Sequence, residues 1–147
     1  MAAEQFVVFR LGAEEYAFPI AQVKEIIRYD GATKLPNAPD HMNGIINLRG
    51  KVIPVVDLAK RFGLVMENNA DKRALIVEAA DREFGIVVDE VSEVLMLEDG
   101  AIEQTDTMSF AAEFLQGIGK LEGRLVLILN LEKVFSNKEM GLMGEIA

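Results

Sequence analysis

The second half of this chain repeats the first. Met42 to Phe62 aligns without a gap on Leu115 to Phe135, which sets Gly44 on Gly117, Ile45 on Ile118, Leu48 on Leu121 and Gly50 on Gly123. Leu58, Lys60 and Phe62 fall in the same way on Leu131, Lys133 and Phe135. Upstream, Glu15-Tyr16-Ala17-Phe18 aligns on Glu83-Phe84-Gly85-Ile86, and Glu25-Ile26 on Glu93-Val94. A period of roughly 70 residues is too long for a solenoid, whose units run about 20 to 50. It predicts two copies of one small module packed together. Two similar but non-identical faces suit a connector better than a catalyst.

Each half alone is near the size at which a single core is marginal, so the halves are expected to share an apolar interface. Half of the 147 residues are hydrophobic, which makes the chain globular rather than disordered. The net charge of −9, with basic residues scattered among acids, argues against nucleic acid and anionic membrane surfaces as partners. The chain has no cysteine, which excludes disulfides, thiolate metal sites and a cysteine nucleophile. Met1-Ala2-Ala3-Glu4-Gln5 has no basic region followed by an apolar run, so no signal peptide is expected. The apolar run Leu125 to Leu129 is too short to span a bilayer. A cytoplasmic location is the expectation.

The pattern predicts a hairpin from Gln5–Leu11 and Tyr16–Ile20, repeated by Arg73–Ala80 and Phe84–Val88 about an Asp81-Arg82 turn. A single helical turn should lead into a strand from about Val23 to Tyr29. After a loop framed by Pro36 and Pro39, two strands should meet at Arg49-Gly50, and in the second copy at Glu122-Gly123. Asp57 and Asn130 are placed to cap a closing helical turn in each copy. The last strands, with Val52, Ile53, Val55 and Val56 and then Leu125 to Leu129, read as buried on both faces. Pro54 predicts an edge or an irregularity in its strand. Five short strands per half predict a mainly β fold of two small barrels packed together, spanning about residues 5–66 and 72–135. Met66 to Asp71 is the boundary, and a short C-terminal helix is expected from about residue 131.

Chemistry is sparse. His41 is the one histidine and sits in the proline-flanked loop without the partners of a ligand or base. No serine has a nucleophile elbow, no phosphate-binding loop is present, and Gly117-Ile118-Gly119 leads into a strand rather than a helix. Asp89, Glu90 and Glu93 read as a solvated strand edge, Val23 and Ile26 as core, and Met140 and Met143 as terminal-helix packing. The informative position is a break in the repeat: Arg49 aligns on Glu122, so equivalent turns carry opposite charge. An arginine beside apolar strands offers five donors for bidentate pairing with a carboxylate. Glu25, matched by Glu93, reads as a charged edge that blocks strand aggregation.

These residues resemble the CheW family of chemotaxis coupling proteins over essentially the whole chain. The resemblance rests on Phe6-Val7-Val8-Phe9-Arg10-Leu11-Gly12, Glu15-Tyr16-Ala17-Phe18, Val23-Lys24-Glu25-Ile26, and the specific block from Gly44 through Asn47-Leu48-Arg49-Gly50 to Pro54 and Asp57-Leu58. Gly85 to Val91, Gly117-Ile118-Gly119 and Leu127 to Leu131 complete it. It implies a single domain over residues 1–147 built of two SH3-like five-stranded barrels, with no catalysis, cofactor or metal. The implied partners are the cytoplasmic signalling tip of chemoreceptors and the regulatory domain of the histidine kinase CheA. Kinase and coupler then alternate in receptor arrays at the inner face of the membrane, without direct membrane contact. By motif matching, Glu25, Gly44 and Arg49 fall on receptor-coupling positions. The receptor tip is expected in an apolar groove between the barrels, touched by Val23, Ile26 and Leu48. The resemblance places kinase contacts on both barrels and assigns them to no individual residue. No receiver domain fits in the chain. Couplers of gliding or pilus motility share the same pattern and stand as the alternative.

Overall fold

The computed structural model describes residues 3–37, 42–61, 72–79, 81–103 and 115–131. In chain order the strands are β1 (Ala3–Leu11), β2 (Glu14–Pro19), β3 (Val23–Arg28), β4 (Met42–Leu48) and β5 (Lys51–Asp57). The short helix α1 (Leu58–Arg61) follows, then β6 (Arg73–Ala79), β7 (Arg82–Val88), β8 (Glu90–Glu98), β9 (Ile102–Glu103), β10 (Leu115–Leu121) and β11 (Arg124–Leu129). Asp57 caps α1 as expected, its Oδ1 accepting the Lys60 N–H at 3.1 Å. Met66 to Asp71, His41, Met140, Met143 and the expected terminal helix, past Leu131, lie outside the described residues.

The strands form a six-stranded sheet in the order β8-β1-β2-β11-β10-β9 and a five-stranded sheet in the order β3-β6-β7-β5-β4. Both are open: no backbone ladder joins β3 to β4 or β8 to β9, where two closed five-stranded barrels were expected. Nor do the sheets follow the division at 5–66 and 72–135. The first half lends its β1–β2 hairpin to the six-stranded sheet, and the second lends β6–β7 to the five-stranded one. The exchange keeps the repeat intact. Ile128 pairs in parallel with Ala17, and the equivalent Val55 with Gly85. The shift in register between Val8 and Phe9 opposite β8 recurs between Val23 and Glu25 opposite β6. Exchanged hairpins make each half's core depend on the other, which suits modules too small to bury a core alone.

The apolar runs follow from this packing. Along β1, Phe6 and Val8 enter a smaller core with Ala17, Leu97, Val126 and Ile128. Val7, Phe9 and Leu11 point the other way, into a larger core with Phe18, Ile53, Leu75, Phe84 and Ile86 that both sheets share. A strand with apolar contacts on both faces has no solvent side to alternate with. Phe9 stacks on Phe18 at 5.3 Å between ring centroids.

Pro54 is not on an edge, because β5 lies between β7 and β4. Its tolerance has a local cause. Opposite Pro54, Ile45 turns both backbone groups outward to Thr33, at 2.9 Å each, so it needs no proline N–H. Pairing to β7 begins one residue later, at Val55.

Candidate functional site

The six candidate residues lie on the two edge strands of the five-stranded sheet and the turn after one of them: Val23, Glu25 and Ile26 on β3, Gly44 and Leu48 on β4, Arg49 in the β4–β5 turn. The strand order puts these edges farthest apart, yet Arg49 reaches Glu25 with both ends of its guanidinium. Nη1 donates to Oε2 at 3.2 Å, and Nη2 donates to Oε1. The sheet therefore curls until its edges meet through side chains. Val23 and Leu48 are half-buried against the shared core, but Ile26, expected in the core, is 43% exposed, because burial alternates along β3 and Ile26 falls on its outer face. Hydrogen bonding from Arg49 holds the Glu25 carboxyl below the usual glutamate range.

The turn is strained in a way its counterpart is not. Arg49 has φ 53° and Gly50 φ 82°, the left-handed pair of a tight hairpin turn. Glycine accepts this freely; an arginine pays a steric penalty of about 1 kcal/mol. Asn47 Oδ1 steadies the turn by accepting the Gly50 N–H at 2.8 Å. In the second copy Gly123 keeps its positive φ of 75°, but Glu122 does not share the Arg49 conformation.

Gly44 does a different job from the other five. It is buried with φ +138°, and a Cβ there would lie 2.0 Å from the Thr33 carbonyl oxygen. Its role is to let the chain after β3 cross β4 closely enough for the Thr33–Ile45 bonds. The repeat-equivalent Gly117 is crowded by Ile102, where β9 crosses β10.

Two further groups extend the charge pattern. Glu83 receives Lys51 Nζ, and Lys24 Nζ at 3.2 Å; Lys24 also reaches Glu78 at 3.0 Å. Hydrogen bonds from Lys51 first and Lys24 second hold the Glu83 carboxyl below its ordinary range. On the six-stranded sheet, Arg124 binds Glu15 through Nε at 2.9 Å and Nη2 at 3.0 Å, and Glu93 through Nη2 at 2.8 Å. The repeat alignment already held Glu15 on Glu83 and Lys51 on Arg124 in register. What it lacked was the hairpin exchange that brings each base to the other half's acid.

Asp89 corrects an expectation. It is 3% exposed rather than on a solvated edge, because both its oxygens are engaged, by the Gly12 N–H at 2.7 Å and Lys72 Nζ at 3.1 Å. A cavity of about 620 Å³ lies beside β4, lined by Tyr29, Lys34, Met42, Asn43, Asp57 and Lys72 among others. Several of its polar groups serve the fold: Asn43 Nδ2 donates to the Tyr29 hydroxyl at 3.2 Å, and Asp57 caps α1. Among the described residues no cluster of His, Cys, Asp or Glu is placed to hold a metal. No described helix is long and apolar enough to cross a membrane.

The CheW-like domain family matches residues 5–139. The chain is 36% identical over 149 aligned positions to a chemotaxis protein CheW of Klebsiella aerogenes, covering 98% of this chain and 89% of that protein. It is 38% identical over 132 positions to a chemotaxis protein CheW of Helicobacter pylori, covering 88% and 80%. Among solved structures, the scaffolding protein TtCheW of Thermoanaerobacter tengcongensis superposes with a TM-score of 0.85 at 36% identity, covering 94% of this chain and 96% of that one. The chain belongs to the CheW family.

Proposed function

We propose that this chain is a non-catalytic adaptor that couples the cytoplasmic signalling tips of chemoreceptors to the regulatory domain of the histidine kinase CheA. Each sheet is one SH3-like unit built from strands of both halves, and the protein works in the cytoplasm, held at the inner face of the membrane through receptor arrays. The receptor tip lies against Val23, Ile26 and Leu48. The Glu25–Arg49 pair stands at the rim, and Gly44 shapes β4 behind it.

The observation that carries this reading is the exposed ion pair on a strained turn. The Arg49 side chain is 71% exposed, although its backbone adopts a conformation that costs energy. Strain kept on a surface turn points to a selected use of that side chain. A guanidinium already oriented by one carboxylate still has free N–H edges for a second, and little rotamer freedom left to lose on binding. The half-buried apolar side chains beside it supply the area that a helical partner needs.

The test is co-sedimentation with receptor signalling fragments and CheA, reading kinase autophosphorylation in the same tube, with Arg49→Glu alongside. Wild type should join the complex and raise kinase activity. The charge-reversed variant should stay folded and lose binding by about tenfold or more, because it sets a like charge beside Glu25 and turns attraction for an acidic partner into repulsion. A wild type that neither joins nor activates overturns the coupling role. Loss of thermal stability together with binding in Arg49→Glu would make the arginine structural instead.

A further inference from the structure

Among the described residues the chain passes between the two sheets twice, and the two crossings are built differently. The first, from β2 to β3, is the 3₁₀ turn Ile20–Gln22, which no side chain caps; the buried Gln22 Oε1 finds no donor. The second, from β7 to β8, is the single residue Asp89.

Asp89 touches both sheets. Its own N–H donates to the Arg10 carbonyl on β1 at 3.0 Å. Oδ2 accepts the N–H of Gly12, in the β1–β2 turn, at 2.7 Å. Oδ1 takes the ammonium of Lys72, the residue before β6, at 3.1 Å. The Asp89 side chain is 4% exposed and that of Lys72 22%. One carboxylate thus ties a turn of the six-stranded sheet to the start of β6 in the five-stranded one. At the equivalent point of the first crossing stands Ala21, exposed and with only a methyl group. Removing one partner of a buried, hydrogen-bonded ion pair strands the other, so such a tie resists opening.

We infer that Asp89 is a positioning residue that fixes the angle between the two sheets, the β2–β3 crossing being the compliant side of the same joint. A protein that binds different partners through different faces depends on that angle even where neither face includes Asp89. This consequence rests on the coupling role proposed above; the joint itself does not.

The native chain has no cysteine, so Lys60→Cys on α1 and Ser92→Cys on β8, both exposed positions, take spin labels without competing thiols. The labelled parent should give one narrow distance distribution. Asp89→Ala and Lys72→Met should each shift it or add a second population, and together do no more than either alone. Asp89→Asn, which keeps an acceptor for Gly12 but loses the charge, should fall between. Folded variants that keep the parent distribution would overturn the inference, whatever their melting temperatures. If Asp89→Ala does not fold, Asp89→Asn and Lys72→Met decide the matter by the same measurement. In the co-sedimentation assay these variants should join the complex yet stimulate the kinase less. Changed distances with unchanged stimulation would count against the coupling role rather than against the joint.

Discussion

At one end of the six-stranded sheet a single arginine, Arg124, holds two carboxylates, Glu15 and Glu93. At the equivalent end of the five-stranded sheet the task is divided: Lys51 takes Glu83, and Glu25 goes to Arg49 on the turn. The difference follows from side-chain chemistry. A guanidinium is a fork that spans two acids, whereas an ammonium is a point charge on a flexible stem. With lysine at the shared position, the second acid needs a base from elsewhere, and the turn supplies it. The arginine of one copy is committed inward at 33% exposure; that of the other is left 71% exposed. Duplication thus gave two similar ends, and two differences in register, Lys51 against Arg124 and Arg49 against Glu122, left only one of them with a charged fork for a partner.

The largest test of this pairing of ends is at the crossing glycines. Gly44→Ala drives a Cβ into the Thr33 carbonyl oxygen at 2.0 Å and imposes a backbone angle that L-residues rarely adopt. Backbone on backbone has no soft way out, so about 3 kcal/mol or more of stability should be lost. Gly117→Ala meets the Ile102 Cγ2 methyl at 2.7 Å and the Glu103 carbonyl oxygen at 3.2 Å, both on the two-residue strand β9, which can shift outward to relieve them in part. It should cost about 1 kcal/mol. Urea denaturation of the two variants decides it; equal losses would mean that the crossings are not built differently after all.

The arginines come next. Arg124→Ala should lower stability by about 1 kcal/mol, since it frees two acids that share one base. Arg49→Ala should leave the urea midpoint where it was while receptor binding falls. Lys51→Arg sharpens the contrast by making the second end like the first. Combined with Arg49→Ala, it should give Glu25 a new base from position 51 without restoring receptor binding. Restored binding would show that the partner needs a neutralised Glu25, not a turn-borne arginine.

The repeat made most of the fold legible: the paired hairpins, the two glycine turns and the Asp57 cap follow from spacing and residue type, whereas the last strands are buried only in their later residues, since Val52 and Leu125, next to the turns, are 43% and 60% exposed. The exchange of hairpins was not legible. β1–β2 and β6–β7 carry the same faces in the same order, so pattern alone cannot say which half each one joins. That one ambiguity hid the rest. Glu25 looked like a bare charged edge because its base lies on a turn at the other side of the sheet. Asp89 looked solvated because Lys72 and Gly12, which bury it, reach it only when two sheets meet. Arg49 stood out because it breaks the repeat, a signal independent of pairing. Gly44 was marked by motif alone, and its physical reason, the close crossing at Thr33, needed the third dimension.

The smallest expected effect is in acid. Glu25 and Glu83 are both held below the usual glutamate range, by Arg49 in one case and by Lys51 and then Lys24 in the other. A carboxylate with a lowered folded pKa contributes stability that is full above its unfolded value, about 4.3, and is lost as pH falls through the folded one. The contribution of Glu25 is slight, because its partner is mostly in water and salt screens the pair. The titration midpoints, followed by carboxyl NMR, carry more information than stability does. Arg49→Ala should raise the Glu25 midpoint toward the ordinary value and leave Glu83 nearly where it was. Lys51→Ala should raise Glu83, and Lys24→Ala should raise it less. If Arg49→Ala moved Glu83 as much as Glu25, the two pairs would form one network, and the division of labour at this end would not exist.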